Sequence, residues 1–453
     1  MSSAQRNRTE VVATALDEAG HGVGADASKS AIHVTDLLPG ERAEVQLDHT
    51  SPHKPEAWGH VVRRLGAASA DRVTPACPAW GRCGGCVWQH LGYPAQLAEK
   101  RRRLDEALAL VPAVAEGRVR IAAVRPSPST LGYRNKGKYV AGRSGDHLVL
   151  GAYAPRSHHV IDTLGCRVVA PVIDEVATWV RGAAQAAGLV AYDEAKREGE
   201  LRYVIVREAA DGDAMVVLVV ASRTPRTKLE QVANALSRHP AIRSVVSLEN
   251  DRRDGAIVPS GATAQVLMGK GTLVEEIAGA KVEVGAGEFL QVNRAQAHAM
   301  YERVAELAGV RPGMHAIDLF AGVGGIGLSL ARAGAEVIAV ELDREAVGQL
   351  RRAAERAGLR LTAIAGDAGE VPRDALGAPD LVVVNPPRKG LSEPTRALLT
   401  ALAPPTIIYV SCGPEALGRD LVALAQYEAD VIEPFDLMPG TGQVETVVRL
   451  RRL

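Results

Sequence analysis

The residues from His315 to Leu330, His-Ala-Ile-Asp-Leu-Phe-Ala-Gly-Val-Gly-Gly-Ile-Gly-Leu-Ser-Leu, constrain the fold more than any other stretch. A short apolar run, an acid and a glycine cluster opening into further apolar residues is the order of a strand, a tight turn and a helix. Gly322, Gly324 and Gly327 have the spacing of a nucleotide-binding turn, where missing side chains let backbone N–H groups at a helix N-terminus approach a ligand. Such a turn alone is a weak signal, and the residues after it strengthen it. A second apolar run, Val337 to Val340, ends in Glu341, where an acid can accept both hydroxyls of a ribose. A third, Asp380 to Val384, ends in Asn385-Pro386-Pro387-Arg388, and a fourth, Thr406 to Val410, ends in Ser411-Cys412-Gly413. Ligands of open α/β sheets lie beyond the carboxyl ends of the strands, so these four ends are expected to converge on one pocket.

An amphipathic helix from Ala295 to Ala308 leads into this α/β, Rossmann-like unit. The unit closes with Asp430 to Leu437, a turn at Pro439-Gly440 and a strand from Val444 to Leu450. That hairpin would lay an antiparallel strand on an otherwise parallel sheet, a feature usual in methyltransferase sheets and unusual in dinucleotide-binding ones.

A chain of 453 residues suggests about three domains. Residues 1–70 alternate in short runs cut by glycine, as in a small OB-like β-barrel. Residues 71–285 read as one α+β domain with short strands and two helices, Pro171 to Gly188 and Lys228 to Ser237, and residues 286–453 as the glycine-turn domain. A helix from Pro94 to Val111 carries Leu97, Leu104, Leu108 and Val111 at helical spacing, with Lys100 to Arg103 on its other face, and is expected to dock on the last domain.

No stretch approaches the roughly 18 apolar residues of a membrane span, and Met1 to Glu10 is polar, so a cytoplasmic protein without a membrane is expected. The net charge is zero, which argues against coating nucleic acid through a bulk field. The charge is uneven, however: residues 60–143 hold fifteen Lys and Arg against five acids. The run Lys100-Arg101-Arg102-Arg103 within them is read as a phosphate-binding patch, the alternative being a solvated helix face.

Cys77, Cys83 and Cys86 form C-x5-C-x2-C, with Cys166 downstream and Cys412 apart from both. In a reducing compartment a clustered trio points to metal ligation, and spacing leaves zinc and iron-sulfur both open. Cys412, ending a strand between small residues, is a candidate nucleophile. Glu445 lies among Val444, Val447 and Val448, neighbours that can raise a carboxyl toward a general base's working range. Asn385 offers the donor and acceptor that match a uracil edge, though it could equally be a turn residue.

The chain resembles the RNA 5-methyluridine methyltransferases over nearly its whole length, specifically the 23S rRNA branch with an N-terminal TRAM domain and an iron-sulfur cluster. The resemblance rests on Leu38-Pro39-Gly40-Glu41, on Cys-Pro-Ala-Trp-Gly-Arg-Cys-Gly-Gly-Cys-Val-Trp-Gln-His at 77–90, and on Gly132-Tyr133-Arg134-Asn135-Lys136. It continues through Phe289-Leu290-Gln291-Val292-Asn293, Asp318-Leu319-Phe320-Ala321-Gly322-Val323-Gly324, Pro386-Pro387-Arg388, Tyr409-Val410-Ser411-Cys412 and Val444-Glu445-Thr446. It implies a class I methyltransferase domain and a 4Fe-4S cluster on Cys77, Cys83, Cys86 and Cys166. S-adenosylmethionine is implied to bind at Gln291, Asp318, Phe320, Gly322, Gly324, Glu341, Asp367 and Asn385. The implied chemistry is attack of Cys412 on uracil C6, methylation at C5, and removal of the C5 proton by Glu445. The base must be flipped out or single-stranded to be reached. RNA is expected to touch Arg101, Arg102, Arg103, Arg134, Lys136 and Arg388, and the protein is expected to act as a monomer.

Two residues depart from the family pattern: Asn385 stands where Asp is usual, and Gln443 where His is usual. Asn-Pro-Pro also occurs in amino-methyltransferases, but Arg388 replaces their stacking aromatic, and purine N-methylation would leave Cys412 and Glu445 without a task. The same chemistry on a tRNA uridine is the nearer alternative. An RNA-binding module with a dead enzyme domain is opposed by intact Cys412, Gln291 and Glu341, and a dehydrogenase by the closing hairpin.

Overall fold

The computed structural model describes residues 7–25, 30–253, 256–259, 262 and 264–453. The first six residues of the polar N-terminal stretch Met1 to Glu10 lie outside the described residues. No helix among the described residues is long and apolar enough to cross a membrane.

Alternation of apolar and polar residues in Ala31–Thr35 and Arg42–Thr50 turns Ile32, Val34, Ala43 and Val45 inward, where they pack with Val11, Leu37 and Ala57. These strands belong to a six-stranded sheet that begins with Arg8–Val12 and ends with Ala15–Leu16. The sheet rolls up because Gly24 has no side chain: a Cβ there would stand 2.4 Å from the Val12 carbonyl oxygen. Glu41, 1% exposed, ties this barrel to the segment that follows. Burial pushes its carboxyl up, but Arg72 and the N–H groups of Leu38 and Ser69 hold it down at about 2.

The central sheet has seven strands, with Leu201–Glu208 and Ala214–Val220 at its middle and helices Pro171–Ala186 and Arg226–Leu236 packed on one face. Residues Leu201–Glu208 and Ala214–Val220 read as nearly continuous apolar runs because both faces of the sheet are covered. The hairpin Leu273–Ile277/Ala280–Val284 bridges two cores: Leu273 packs with Val217 and Val246 of the central sheet, and its other buried apolar residues pack elsewhere. Val282 and Val284 pack with Val347, Leu350 and Ala353 of the helix Arg344–Arg356, beyond the 285/286 division expected from the sequence.

The third sheet contains, in spatial order, Leu361–Ala365, Glu336–Glu341, His315–Leu319, Leu381–Val384, Thr406–Ser411, Glu445–Arg452 and Tyr427–Phe435. The first five are parallel, and Glu445–Arg452 runs antiparallel between its two neighbours. Strand order reverses between His315–Leu319 and Leu381–Val384, which opens a crevice at their carboxyl ends.

The helix Tyr93–Leu108 lies against this domain: Leu104 and Leu108 join the core formed by Ile407, Tyr409, Leu417 and Leu421. Lys100 sits on its buried face and not among the exposed cations. Its ammonium is fully buried, 2.5 Å from Asp436 and 3.1 Å from the Met438 carbonyl oxygen. Removing one partner of such a pair strands the other charge in the interior, so Lys100→Met should cost about 3 to 5 kcal/mol. Urea unfolding of the variant is the measurement; a midpoint equal to that of the parent protein would contradict the pair's role.

Candidate active site

The glycine turn follows His315–Leu319 directly. Phe320 adopts φ +65°, unusual for a residue with a side chain, and the helix Gly325–Arg332 starts at once. At Gly324, φ is +93° and a Cβ would come within 2.3 Å of Leu350, so only glycine allows the turn to close against that helix. Glu341 fixes the turn from the neighbouring strand: one carboxylate oxygen accepts the Gly322 N–H at 2.8 Å, the other that of Asp343 at 2.9 Å. Asp318 accepts the Gly327 N–H at 2.8 Å through one oxygen, while the other is buried without a partner. Burial pushes Asp318 up to about 7.

Gln291, Asp318, Phe320, Gly322 and Asn385 line one crevice with Tyr301 and the exposed Phe289. Asn385 reaches it because its N–H bonds the Leu319 carbonyl oxygen across the switch point at 3.3 Å. The Gln291 loop is stitched to the central sheet by Asn135, whose side chain donates to the Gln291 carbonyl oxygen at 3.1 Å. Asp367 is exposed and caps its own turn by accepting the Gly369 N–H at 2.8 Å; it does not line the crevice.

A second cleft, of about 110 Å³, has Cys412, Gly413, Arg388 and Gln443 in its wall. Burial, then the nearby Glu445 carboxylate, pushes the Cys412 thiol up to about 11, and the Arg388 guanidinium opposes them. Burial likewise pushes Glu445 up to about 7 against the pull of Arg388, and its Oε2 is buried without a partner. A thiol that feels a nearby carboxyl, with a guanidinium favouring the ionised form of each, offers a nucleophile and a base to a ring bound in the cleft. Tyr301 lines the glycine-turn crevice. It feels both Glu445 and Asp318, and burial together with those charges pushes its hydroxyl up. Nothing in the sequence distinguished it from the apolar face of its helix.

Arg388 lines the cleft, with Glu18 of the barrel 3.6 Å away. The other cations expected on RNA are placed otherwise. Arg101 pairs with Asp105 and donates to the Ala122 carbonyl oxygen. Arg102 pairs with Glu99 and Glu106. Arg103 donates to the Gly442 carbonyl oxygen beside the cleft. Each is held by groups of this chain and not presented as an open phosphate-binding row. Lys136 is pushed down to about 6, by burial and then by Arg207, which leaves it largely neutral. Arg134 turns toward the cysteines, where its charge pulls Cys83 and Cys86 down, and its Nε is buried without a partner.

Cys77, Cys83, Cys86 and Cys166 are all partly buried free thiols. Burial pushes Cys86 up to about 11, with Cys166 and Cys83 adding to the rise, and Cys83 senses Cys166 and Cys77 in turn. The fourth cysteine is thus brought to the trio from across the central domain. Its loop is pinned by Asp174, which accepts the Gly165 N–H at 2.7 Å and the Cys166 N–H at 3.2 Å. Among the described residues, the group whose ligand atoms lie within 4.8 Å of one another is Asp17, His21 and His33 of the barrel, and not the four cysteines.

Comparison with known proteins agrees with this geometry. Residues 298–427 match the family described as Conserved hypothetical protein 95. An uncharacterized RNA methyltransferase of Halalkalibacterium halodurans is 32% identical over 98% of this chain and 97% of its own. Another, from Thermosynechococcus vestitus, is 32% identical over 99% of each. The crystal structure of Pyrococcus abyssi tRNA (uracil-54, C5)-methyltransferase in complex with S-adenosyl-L-homocysteine superposes with a TM-score of 0.78 at 26% identity, covering 97% of this chain and 99% of that one. A Rossmann-like sheet with a closing antiparallel strand, a glycine turn braced by Glu341, and relatives alike over their full lengths place this chain among the RNA methyltransferases.

Proposed function

We propose that the protein transfers a methyl group to C5 of a uridine in RNA through a covalent bond between Cys412 and C6. The observation that carries this reading is the placement of Glu445 on the strand paired beside Cys412, close enough that its charge is felt by the thiol in the cleft wall. The full-length likeness to a tRNA uracil-C5 methyltransferase supports it. S-adenosylmethionine in the crevice supplies the methyl group. Gln291, Phe320, Gly322, Gly324 and Asn385 would hold it, with Glu341 toward the ribose and Asp318 beneath. The buried, unpartnered oxygen of Asp318 fits a donor from such a ligand.

Uracil C5 is a weak nucleophile. As the Cys412 sulfur bonds to C6, the electrons of the C5–C6 double bond become available at C5, which takes the methyl group. Glu445 then removes the C5 proton, the double bond re-forms and the C6–sulfur bond breaks, its electron pair leaving on sulfur to return Cys412 as the thiolate. Arg388 favours the ionised forms of both groups. Asn385 would read the uracil edge, an amide serving where a carboxylate is usual.

The resemblance favours 23S rRNA as substrate; the second reading, a tRNA uridine, is favoured by the P. abyssi likeness. In either reading residues 1–70 act as a TRAM-like RNA-binding barrel, 71–285 as the central domain and 286–453 as the methyltransferase, in a cytoplasmic monomer. Cys77, Cys83, Cys86 and Cys166 would hold a 4Fe-4S cluster. Buried thiols that raise one another's pKa, with the orphaned Arg134 guanidinium nitrogen beside them, fit a site that binds thiolates to a cationic centre. Such a cluster would tie the cysteine segment to the central domain and is structural here, being held by a segment other than that of Cys412.

Three measurements test these assignments. With 5-fluorouridine RNA and S-adenosylmethionine, a denaturation-resistant protein–RNA complex should form and Cys412→Ala should abolish it, whereas Glu445→Gln should accumulate adduct on ordinary uridine RNA. Near-normal methylation by Cys412→Ala would overturn the mechanism.

The single-turnover rate should rise with pH through about 7, because Glu445 is a base only above its pKa. Replacing Arg388 by Gln removes the charge that favours the carboxylate and should move the rise to higher pH by about one unit. An unmoved midpoint would remove Arg388 from the reaction.

Protein purified without oxygen should be brown and carry about four irons per chain. Stoichiometric zinc without iron would refute the cluster.

A further inference from the structure

A groove larger than either active-site pocket lies away from both. It has a volume of about 920 Å³ and opens where Leu201–Glu208 begins and Ala214–Val220 and Ile242–Glu249 end. Small residues, Ala141, Gly142 and Ala221, keep it open. In a chain of zero net charge, its lining holds six arginines and two histidines against three acids.

Those acids are already engaged. Glu194 holds Arg202 through contacts of 2.7 and 2.8 Å. Asp193 accepts the N–H groups of Ala195 and Lys196, and Asp251 that of Ser222 at 3.1 Å. Arg202 is itself structural: buried, with its guanidinium 4.8 Å from the Tyr192 ring and 5.7 Å from that of Tyr203, it stiffens the wall. The mobile charge belongs to other arginines. Arg143, Arg197 and Arg253 are exposed. Arg143 has only the fully exposed Asp146, outside the groove, at 3.6 Å. Arg197 and Arg253 pair with no acid among the described residues.

The strand Leu201–Glu208 sets the distance from the chemistry. Its far end abuts the glycine-turn domain: Arg207 donates to the Glu288 carbonyl oxygen, and Arg294 to that of Glu208, both at 2.7 Å. Eight residues at about 3.3 Å each separate the groove from that junction by roughly 25 Å. A single flipped nucleotide does not span this, whereas a folded or extended RNA does.

We propose that this groove is a second RNA-binding site, which grips phosphates of the substrate remote from the target uridine through Arg143, Arg197 and Arg253. The proposal rests on RNA being the substrate and assigns to this groove the phosphate contacts that the run Arg101–Arg103 is not placed to make. Contacts of this kind supply affinity and salt dependence, while base choice stays with the Cys412 cleft.

The test uses full-length protein purified without oxygen and an unstructured, fluorescently labelled RNA of about 30 nucleotides, since phosphate binding is independent of sequence. Anisotropy is measured across a salt series for the parent protein, for R143Q/R197Q/R253Q, and for a control, R352Q/R360Q/R373Q, that removes the same charge from exposed arginines elsewhere. The groove variant should bind at least tenfold more weakly at low salt. Its slope of log affinity against log salt should fall by up to about 2 to 3 units, about 0.7 to 0.9 for each phosphate released. The control should change by less than half as much. S-adenosylmethionine binding by calorimetry should be equal in all three proteins, which separates this effect from misfolding. Equal losses in groove variant and control, or none in the groove variant, would overturn the proposal. Absence of methyl transfer by a parent protein that shows the predicted binding pattern would instead overturn the proposed reaction and leave the groove standing.

Discussion

The active site depends on the register of one strand. Glu445–Arg452 enters the sheet antiparallel between Thr406–Ser411 and Tyr427–Phe435, with Thr446 opposite Ser411 and Val447 opposite Val410. This pairing leaves Glu445 level with the end of the strand that carries Cys412, so thiol and carboxyl meet although they are far apart in sequence. A slip of one residue would turn the face carrying Val447 away from the core and carry Glu445 off the cleft. Seating the hairpin and positioning the Glu445 carboxyl are therefore the same structural event.

What holds the register lies largely outside the sheet. The connection from Asp436 to Val444 is fastened to the N-terminal half of the chain at several points. Lys100 binds Asp436, Gln96 accepts the Gly440 N–H at 2.8 Å, and the Trp88 N–H donates to the Gly440 carbonyl oxygen at 2.8 Å. Tyr133 donates to the Pro439 carbonyl oxygen at 3.1 Å, and Arg103 to that of Gly442. Helix Tyr93–Leu108, the cysteine segment and the central domain thus all grip the loop that delivers Glu445. Lys100 and Arg103 of the basic run form part of the frame of the Cys412 cleft, and barrel residue Glu18 reaches Arg388 from the other side.

The parts of this arrangement that could be read from the sequence are those with local physical signatures. Parallel strands buried on both faces appear as apolar runs, and Glu341, Asn385 and Cys412 were readable because strand ends in such sheets face the ligand. The edge strand Leu361–Ala365 escaped notice: only Ala363 of it is buried, so Thr362 and its neighbours carry no run. The hairpin Leu273–Ile277/Ala280–Val284 alternates charge with aliphatic residues, and its partner helix lies seventy residues on. The partners of the run Lys100–Arg103 are legible only in part. Asp105 and Glu106 stand one turn after Arg101 and Arg102, where helical pairing is foreseeable. Asp436, the partner of Lys100, lies 336 residues away, and nothing local announces it.

Charge placement completes the reasoning from residues to function. In a chain with zero net charge, cations on a helix near the catalytic domain are neutralised by acids and carbonyl oxygens, so they fix geometry without projecting a field. In the wall of the Cys412 cleft the exposed cation Arg388 acts on both titrating groups at once: any change that strengthens its pull favours thiolate and carboxylate together. Two adjacent anions repel, however, so full ionisation of both is disfavoured, and in the proposed reaction the pull of Arg388 would count most where one negative charge is lost as sulfur bonds to C6. The cleft is thereby biased to hold one anion at a time, and with Glu445 pushed to about 7 and Cys412 to about 11 that anion resides first on the carboxylate, the group placed to take a proton.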